Sequence, residues 1–357
     1  MKALIAMSGG VDSSVTALLM KEQGYDCVGV TMKLHYENET FASDKCGGQK
    51  DIEDAALVCQ KLNIPHEVKD FSESFKGCVM DKFVNTYRNG GTPNPCIDCN
   101  KNLKFKGLLE YAATIGADVI ATGHYARNIY DEAQDQWNLH KAADDNKDQS
   151  YVLYNLTEEQ LKHVRFPLGA MTKEEVRTLA EEHGFVNARK RDSQDICFVP
   201  DRDYARFVDN YDGSKSVAGN FVDSEGNILG LHKGITHYTI GQRKGLGIAL
   251  GSPLFVTRID PVKNEVVLSH GMGLYKTTIR INDINLIRKD IFNEEQKVSV
   301  KIRYKHKEQT ATAKLIADDL MEIIFDEAQR APTIGQAAVL YDGDKVLGGG
   351  TICEIVS

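Results

Sequence analysis

Two cysteines frame the chemistry this chain can carry, and a glycine-serine turn frames the rest. The turn is Ser8-Gly9-Gly10-Val11-Asp12-Ser13-Ser14, directly after the apolar run Lys2 to Met7. Adjacent glycines let the backbone fold tightly, and the amides opening the following helix face any anion placed there, with three serine hydroxyls to help. No Gly-Lys-Ser/Thr ends the turn, so it is not a Walker A loop. The second constellation is Thr92-Pro93-Asn94-Pro95-Cys96-Ile97-Asp98-Cys99-Asn100-Lys101. Its prolines suggest a stiffened, exposed loop, and Lys101, Lys104 and a helix start near Cys99 would favour its thiolate. A lone C-x-x-C suits a redox pair, half a zinc site or part of an iron–sulfur site. The third is Lys190-Arg191-Asp192-Ser193-Gln194-Asp195-Ile196-Cys197-Phe198, where Arg189, Lys190 and Arg191 would stabilise a thiolate or a phosphate. Against that, a cysteine between apolar neighbours is commonly just core. Cys27, Cys59, Cys78 and Cys353 read as core, and Cys46 beside Gly47-Gly48 has no assignment.

Strands alternating with amphipathic helices must position the first constellations. A strand over Cys27 to Leu34 is followed by a helix carrying Ile52, Ala55, Ala56, Cys59 and Leu62. A later helix carries Phe105, Leu108, Leu109 and Ala112, ends near Gly116 and feeds a strand over Val119 to Thr122. The pattern predicts an α/β domain over residues 1–163, built on a parallel sheet. A central helical segment, 164–210, carries Cys197, with Thr172 and Glu175 as a capping box and Gly184 as C-cap. Residues 211–357 turn to short strands and tight turns, at Pro261–Asn264 and Asp342–Asp344 among others, which predicts an all-β, barrel-like domain.

The 357 residues exceed what one core usually serves, and their 42% hydrophobic and 26% charged content excludes a disordered or fibrous chain. No apolar run is long enough to span a bilayer and the N-terminus does not read as a signal peptide, so a cytoplasmic location is expected. Eight unevenly spaced cysteines argue against a secreted disulfide scaffold. The net charge of −8 means that nucleic acid would have to be met by local basic patches. One such patch is expected on a strand over Lys297 to Lys307. Val298, Val300, Ile302 and Tyr304 would lie on one face, and Lys297, Ser299, Lys301, Arg303, Lys305 and Lys307 on the other. Same-face residues then stand ~6.6 Å apart, close to phosphate spacing. His232, Lys233, Arg243 and Lys244 form a second patch, with Tyr238, Tyr304 and His306 available to stack on bases.

SGGVDSS resembles the pyrophosphate loop of ATP pyrophosphatases, in which Asp12 would help hold Mg²⁺ and pyrophosphate. With TPNPCIDCNKNLKF, ATGHYAR, KDQSYVLY, DSQDICF, HYTIGQRKGLG, KIRYKH and LGGGTI in this order, nearly the whole chain resembles the tRNA-specific 2-thiouridylases. The resemblance implies adenylation of C2 of the wobble uridine with ATP and replacement of its oxygen by sulfur from a persulfide-carrying donor protein. It implies ATP contacts from Ala6, Met7, Ser8, Gly9, Gly10, Val11, Asp12, Ser13, Met32 and Gly123, and catalysis by Cys99 and Cys197. It implies tRNA contacts from Asn94, Pro95, His124, Lys147, Asp148, Gln149, Arg303, Tyr304 and Gln336. In one departure, the family commonly has an aspartate, cast as a general acid/base, where this chain has Cys96. Cys96, Cys99 and Cys197 are therefore also an expected ligand set for a [4Fe-4S] cluster with one open iron. Two other readings stand beside this one: an ATP pyrophosphatase that adenylates a small molecule, and a non-catalytic RNA-binding protein.

Overall fold

The computed structural model describes residues 1–34, 47–190, 196–199, 201–248 and 253–356. Cys46 and the stretch from Arg191 to Asp195 lie outside the described residues. The chain forms two compact units: Met1–Val79, Cys96–Arg202 and Asp344–Leu347 make one, and Met80–Pro95, Asp203–Gly343 and Gly348–Ser357 the other.

The first unit is organised by short apolar segments buried on both faces, which is what a parallel sheet covered by helices requires. Its strands are β1 (Lys2–Ala6), β2 (Asp26–Lys33), β3 (His66–Asp70) and β4 (Val119–Ala121). A hairpin follows, β5 (Arg127–Asp131) and β6 (Gln136–His140), and then the short β7 (Val164–Arg165). The parallel sheet runs β3-β2-β1-β4-β7, with Ala3 opposite both Cys27 and Val119. Strand order therefore reverses between β1 and β4, which opens a crevice at their carboxyl ends. Helix α1 (Val11–Glu22) follows β1 and helix α2 (Gln49–Lys61) precedes β3. Val15, Ala17 and Leu18 of α1 share a core with Ala55 and Val58 of α2. Val176 and Ala180, on the helix Lys173–Glu182, enter the same core. That helix starts at the expected capping box: Thr172 caps Glu175 and Glu175 caps Thr172 in return. β7 and this helix lie beyond residue 163, yet belong to the unit built on the parallel sheet.

In the second unit, the helices Asp81–Arg88 and Tyr204–Asn210 meet through Phe83, Tyr87, Tyr204 and Phe207, with edge-on ring pairs 5.0–6.2 Å apart. Arg88 grips both carboxylate oxygens of Asp212. The β-rich region read from sequence as one barrel contains two sheets. Strands β8 (Gly219–Val222), β9 (Ile228–His232), β10 (Phe255–Asp260) and β11 (Glu265–Ser269) are ordered β10-β11-β8-β9 around Phe221, Tyr238, Val256, Val266 and Leu268. The remaining strands are β12 (Tyr275–Leu286), β13 (Gln296–Lys301), β14 (Gln309–Ala317), β15 (Leu320–Arg330), β16 (Ala337–Asp342) and β17 (Lys345–Ile355). They run β12-β15-β14-β13-β16-β17, and pairing of β12 with β17 closes them into a six-stranded barrel. Among the described residues no helix is long and apolar enough to cross a membrane.

Candidate active site

A cleft of about 200 Å³ opens at the point where the strand order reverses. Ala6, Met7, Ser8, Asp12, Ser13, Met32 and Gly123 line it, so seven of the expected nucleotide contacts converge there. Of the other three, Gly9 and Gly10 shape the turn, and Val11 is buried as the first residue of α1. Gly9 has φ +69°, and a Cβ on it would stand 2.3 Å from the Asp51 carbonyl oxygen. Only glycine is tolerated there, because both the dihedral and the close approach of α2 exclude a side chain. Gly123 is similarly confined: a Cβ would lie 2.9 Å from the Asp12 carbonyl carbon. The turn is held internally by the Ser13 and Ser14 hydroxyls, which donate to the Gly10 carbonyl at 2.9 and 3.1 Å. The Ser8 amide donates to Ser13 Oγ at 3.2 Å. Thr31, Lys104 and Thr122 also line the cleft. Sequence reasoning gave the two threonines no role and used Lys104 only as a neighbour of Cys99.

Asp12 is braced from behind. Lys173 Nζ donates to its Oδ1 and Oδ2 at 2.7 and 2.8 Å, and the Tyr125 hydroxyl donates to Oδ1 at 2.8 Å. Lys173 is buried, with 7% of its surface exposed. Its position as the first residue after the Thr172 cap aims it from 161 residues away in the chain. Among the described residues Asp12 is the one carboxylate lining the cleft, and both its oxygens are engaged. Among the described residues no three His, Cys, Asp or Glu side chains converge as a metal site.

His124 and Gln149, expected to meet RNA, line the same cleft. The His124 Nδ1 is 2.7 Å from Thr122 Oγ1. Burial, reinforced by the charge of Lys104, pushes this imidazole well below its ordinary value and keeps it neutral. Gln149 is tied to Tyr125 through the Tyr125 amide, which donates to Gln149 Oε1 at 2.9 Å. Asp148 is buried, and its carboxylate accepts from the Ala142 and Ser150 amides and the Ser150 hydroxyl. It thereby shapes the turn that presents Lys147, half-buried, and Gln149.

The cysteines depart from expectation. Pro95–Cys99 is helical and continues into the wide-turned helix Asn100–Gly107, so Cys99 sits inside a helix rather than on an exposed loop. Pro95 opens the helix at the position proline favours. Cys99 is buried, Cys96 is exposed and Cys197 is partly exposed. They are not gathered into a metal-ligating group, so the set does not fit a [4Fe-4S] cluster. Cys197 lies in a short turn pinned by Phe198, which is buried edge-on against Phe75 at 5.6 Å.

In the second unit, Gln336 Nε2 donates to the Thr92 and Pro93 carbonyls at 2.9 and 3.3 Å, and the Thr92 amide donates to Ile334 O. These bonds fix the backbone that leads into Asn94 and Pro95. The basic strand is shorter than expected: β13 ends at Lys301, and Ile302 to His306 form bends and turns. Val298, Val300 and Ile302 are buried as expected, but Tyr304 is exposed instead of joining them. Arg303 donates to Ala331 O and Thr333 Oγ1, and Lys297 pairs with Asp326 at 2.7 Å. The second basic patch loses His232, which is buried between the Gly234 amide and the Asn264 carbonyl, with burial lowering its pKa. Tyr238 packs against Phe221 and His232 in the core and offers no face for stacking.

Three family models cover the chain: a tRNA methyl transferase HUP domain over residues 1–201, a tRNA methyl transferase PRC-barrel domain over 205–270 and an aminomethyltransferase β-barrel domain over 276–352. A tRNA-specific 2-thiouridylase of Clostridioides difficile is 49% identical over 352 residues, 98% of each chain. That of Lachnoclostridium phytofermentans is 48% identical over 356 residues, 99% of each chain. Among solved structures, a 4-thiouridine synthetase–RNA complex with bound ATP aligns with 56% of this chain and 45% of its own, at 19% identity and a TM-score of 0.36. Aligned end to end at close to half identity, with the expected turn residues lining one cleft, this chain belongs to the tRNA-specific 2-thiouridylase family.

Proposed function

We propose that the chain thiolates C2 of the wobble uridine of tRNA in two stages, both served by the first unit. ATP enters the cleft at the strand-order reversal, with its phosphate chain on the Ser8–Ser14 turn and Mg²⁺ carried by its own phosphates. The uridine O2 attacks the α-phosphate, pyrophosphate leaves, and C2 carries an adenylated oxygen. Cys197 bears a terminal sulfur delivered by a persulfide donor protein. That sulfur attacks C2 and AMP departs with the original oxygen. Cys99 thiolate then attacks Cys197 Sγ, which releases the 2-thiouridine sulfur and forms a Cys99–Cys197 disulfide. A thiol reductant restores both cysteines before the next cycle. Asn94, Pro95, Arg303, Tyr304 and Gln336 belong to the tRNA-binding surface in this reading, and a tRNA substrate fits a cytoplasmic enzyme. The observation that carries the reading is the convergence of Ala6, Met7, Ser8, Asp12, Ser13, Met32 and Gly123 on one cleft.

The test is AMP release with and without tRNA, alongside mass analysis of the tRNA nucleosides. Wild-type protein releases AMP only with tRNA and yields 2-thiouridine. Asp12→Ala strips Lys173 and Tyr125 of their shared acceptor and slows AMP release by about 10²-fold, the usual scale for one charge-organising group. Lys173→Met acts through the same carboxylate, so the double variant is little worse than either single one. AMP release at an undiminished rate in Asp12→Ala would sink the assignment of the turn.

A further inference from the structure

The turn that faces the phosphates is also held on its far side. The Gly9 carbonyl accepts from Asn187 Nδ2 at 3.0 Å and from Lys190 Nζ at 3.1 Å. Asn187 is 2% exposed, and its amide also donates to Ser14 Oγ at 2.9 Å. Lys190 reaches two further acceptors, Asp51 Oδ1 at 2.7 Å and Asp54 Oδ2 at 2.6 Å. An ammonium group has three N–H donors, and three acceptors are matched to them here. Although burial opposes its charge, the bonds to Asp51 and Asp54 hold the lysine above its ordinary pKa, so it stays a cation.

A trans peptide is planar, with its carbonyl and its N–H pointing in opposite directions. Pinning the Gly9 carbonyl therefore aims the Gly10 N–H the other way. On that side it donates to Ser8 Oγ at 3.4 Å, and Ser8 lines the cleft. The peptide lies between two glycines, whose backbones resist rotation least. Turned over, it would present a carbonyl oxygen to the phosphates in place of an N–H. We infer that Asn187 and Lys190 are positioning residues that hold the Gly9–Gly10 peptide with its N–H toward the phosphate chain. The inference rests on the reading of the cleft as the ATP site. The two residues therefore govern affinity for the phosphates alone and leave recognition of the nucleoside untouched.

Calorimetric titration of the full-length protein with sodium pyrophosphate, and separately with adenosine, decides the point. Asn187→Leu and Lys190→Met are each expected to weaken pyrophosphate binding roughly tenfold, the scale of one misdirected buried hydrogen bond, with adenosine binding unchanged. Lys190→Arg keeps the cation and recovers part of the loss. Asn187→Leu alters no charge, so a loss there separates peptide orientation from simple removal of a positive group. Should Asn187→Leu fail to fold, Lys190→Arg, at a partly exposed position, takes its place: it keeps the charge, so the loss that remains reports on peptide orientation, and full wild-type binding overturns the inference. Unchanged pyrophosphate binding, or equal weakening of both probes, overturns the inference. A wild-type protein that binds neither probe overturns the reading of the cleft itself, which is a different result from a failure of the two variants.

Discussion

His124 shows how one residue can serve the cleft and report on it. Its ring packs 5.7 Å from Phe105 and 6.2 Å from Phe166, and the positive charge of Lys104 disfavours protonation further. The imidazole is therefore neutral in the folded chain, while the unfolded chain takes up a proton near the ordinary value of 6.5. Its folded pKa lies below the unfolded one, so its contribution is intact above about pH 6.5 and is lost as the pH falls toward the folded value. His124→Gln should flatten the decline in urea-unfolding free energy between about pH 6.5 and 5. It should not abolish the decline, because burial also lowers His66, His232 and His306. An acid limb as steep in the variant as in wild type would mean that the histidine is not held neutral. The same residue marks a limit of sequence reading. ATGHYAR points to a functional histidine, but only the folded chain brings Thr122, Lys104 and the Ser8–Ser14 turn around one space.

Elements whose side chains share one environment were legible, and those shaped by distant partners were not. β1, β2 and β4 are apolar runs because helices cover the sheet, and their positions follow from composition alone. The capping box at Thr172 and Glu175 is local and forms where the spacing places it. Lys173 is different: within Lys173–Glu182 it reads as one more surface charge, and its partner Asp12 cannot be found by periodicity. The helix after Pro95 keeps the spacing of Phe105, Leu108 and Ala112 whether its turns are ordinary or wide, so the widening at Asn100–Gly107 is invisible in the pattern. The cationic ladder failed for a related reason, since alternation past Lys301 continues while the chain already bends. Its lysines consequently differ in what they can give to RNA. Lys297 is paired with Asp326 and Lys305 is exposed beyond the strand end. Lys305→Gln should lower the slope of log affinity for tRNA against log salt by about one, and Lys297→Gln should leave it nearly unchanged. Equal slopes for both variants would remove this segment from the RNA surface.

Across the whole molecule, adenylation and sulfur transfer must meet on one base, and the three cysteines set the terms. Cys99 and Cys197 belong to the same unit as the cleft, as does Cys96. Cys96 and Cys99 are three residues apart on one helical stretch, yet one is exposed and the other buried. A cluster route requires all three thiolates to converge on iron, and they form no such group. A persulfide route requires only a partly exposed thiol to receive sulfur and a second thiol to resolve the bond. In the proposed route Cys197 receives the sulfur and Cys99 resolves the bond, which leaves Cys96 dispensable. Thiolation assayed with a persulfide-loaded donor and a thiol reductant should fall about 10³-fold or more in Cys99→Ser and Cys197→Ser, as loss of a nucleophile does. Cys96→Asp, which installs the family's common residue, should keep its activity and form a Cys99–Cys197 disulfide when the reductant is withheld. Iron and sulfide analysis of anaerobically purified protein closes the alternative. Stoichiometric iron that disappears in Cys96→Asp together with the activity would establish the cluster route and leave the disulfide without a role.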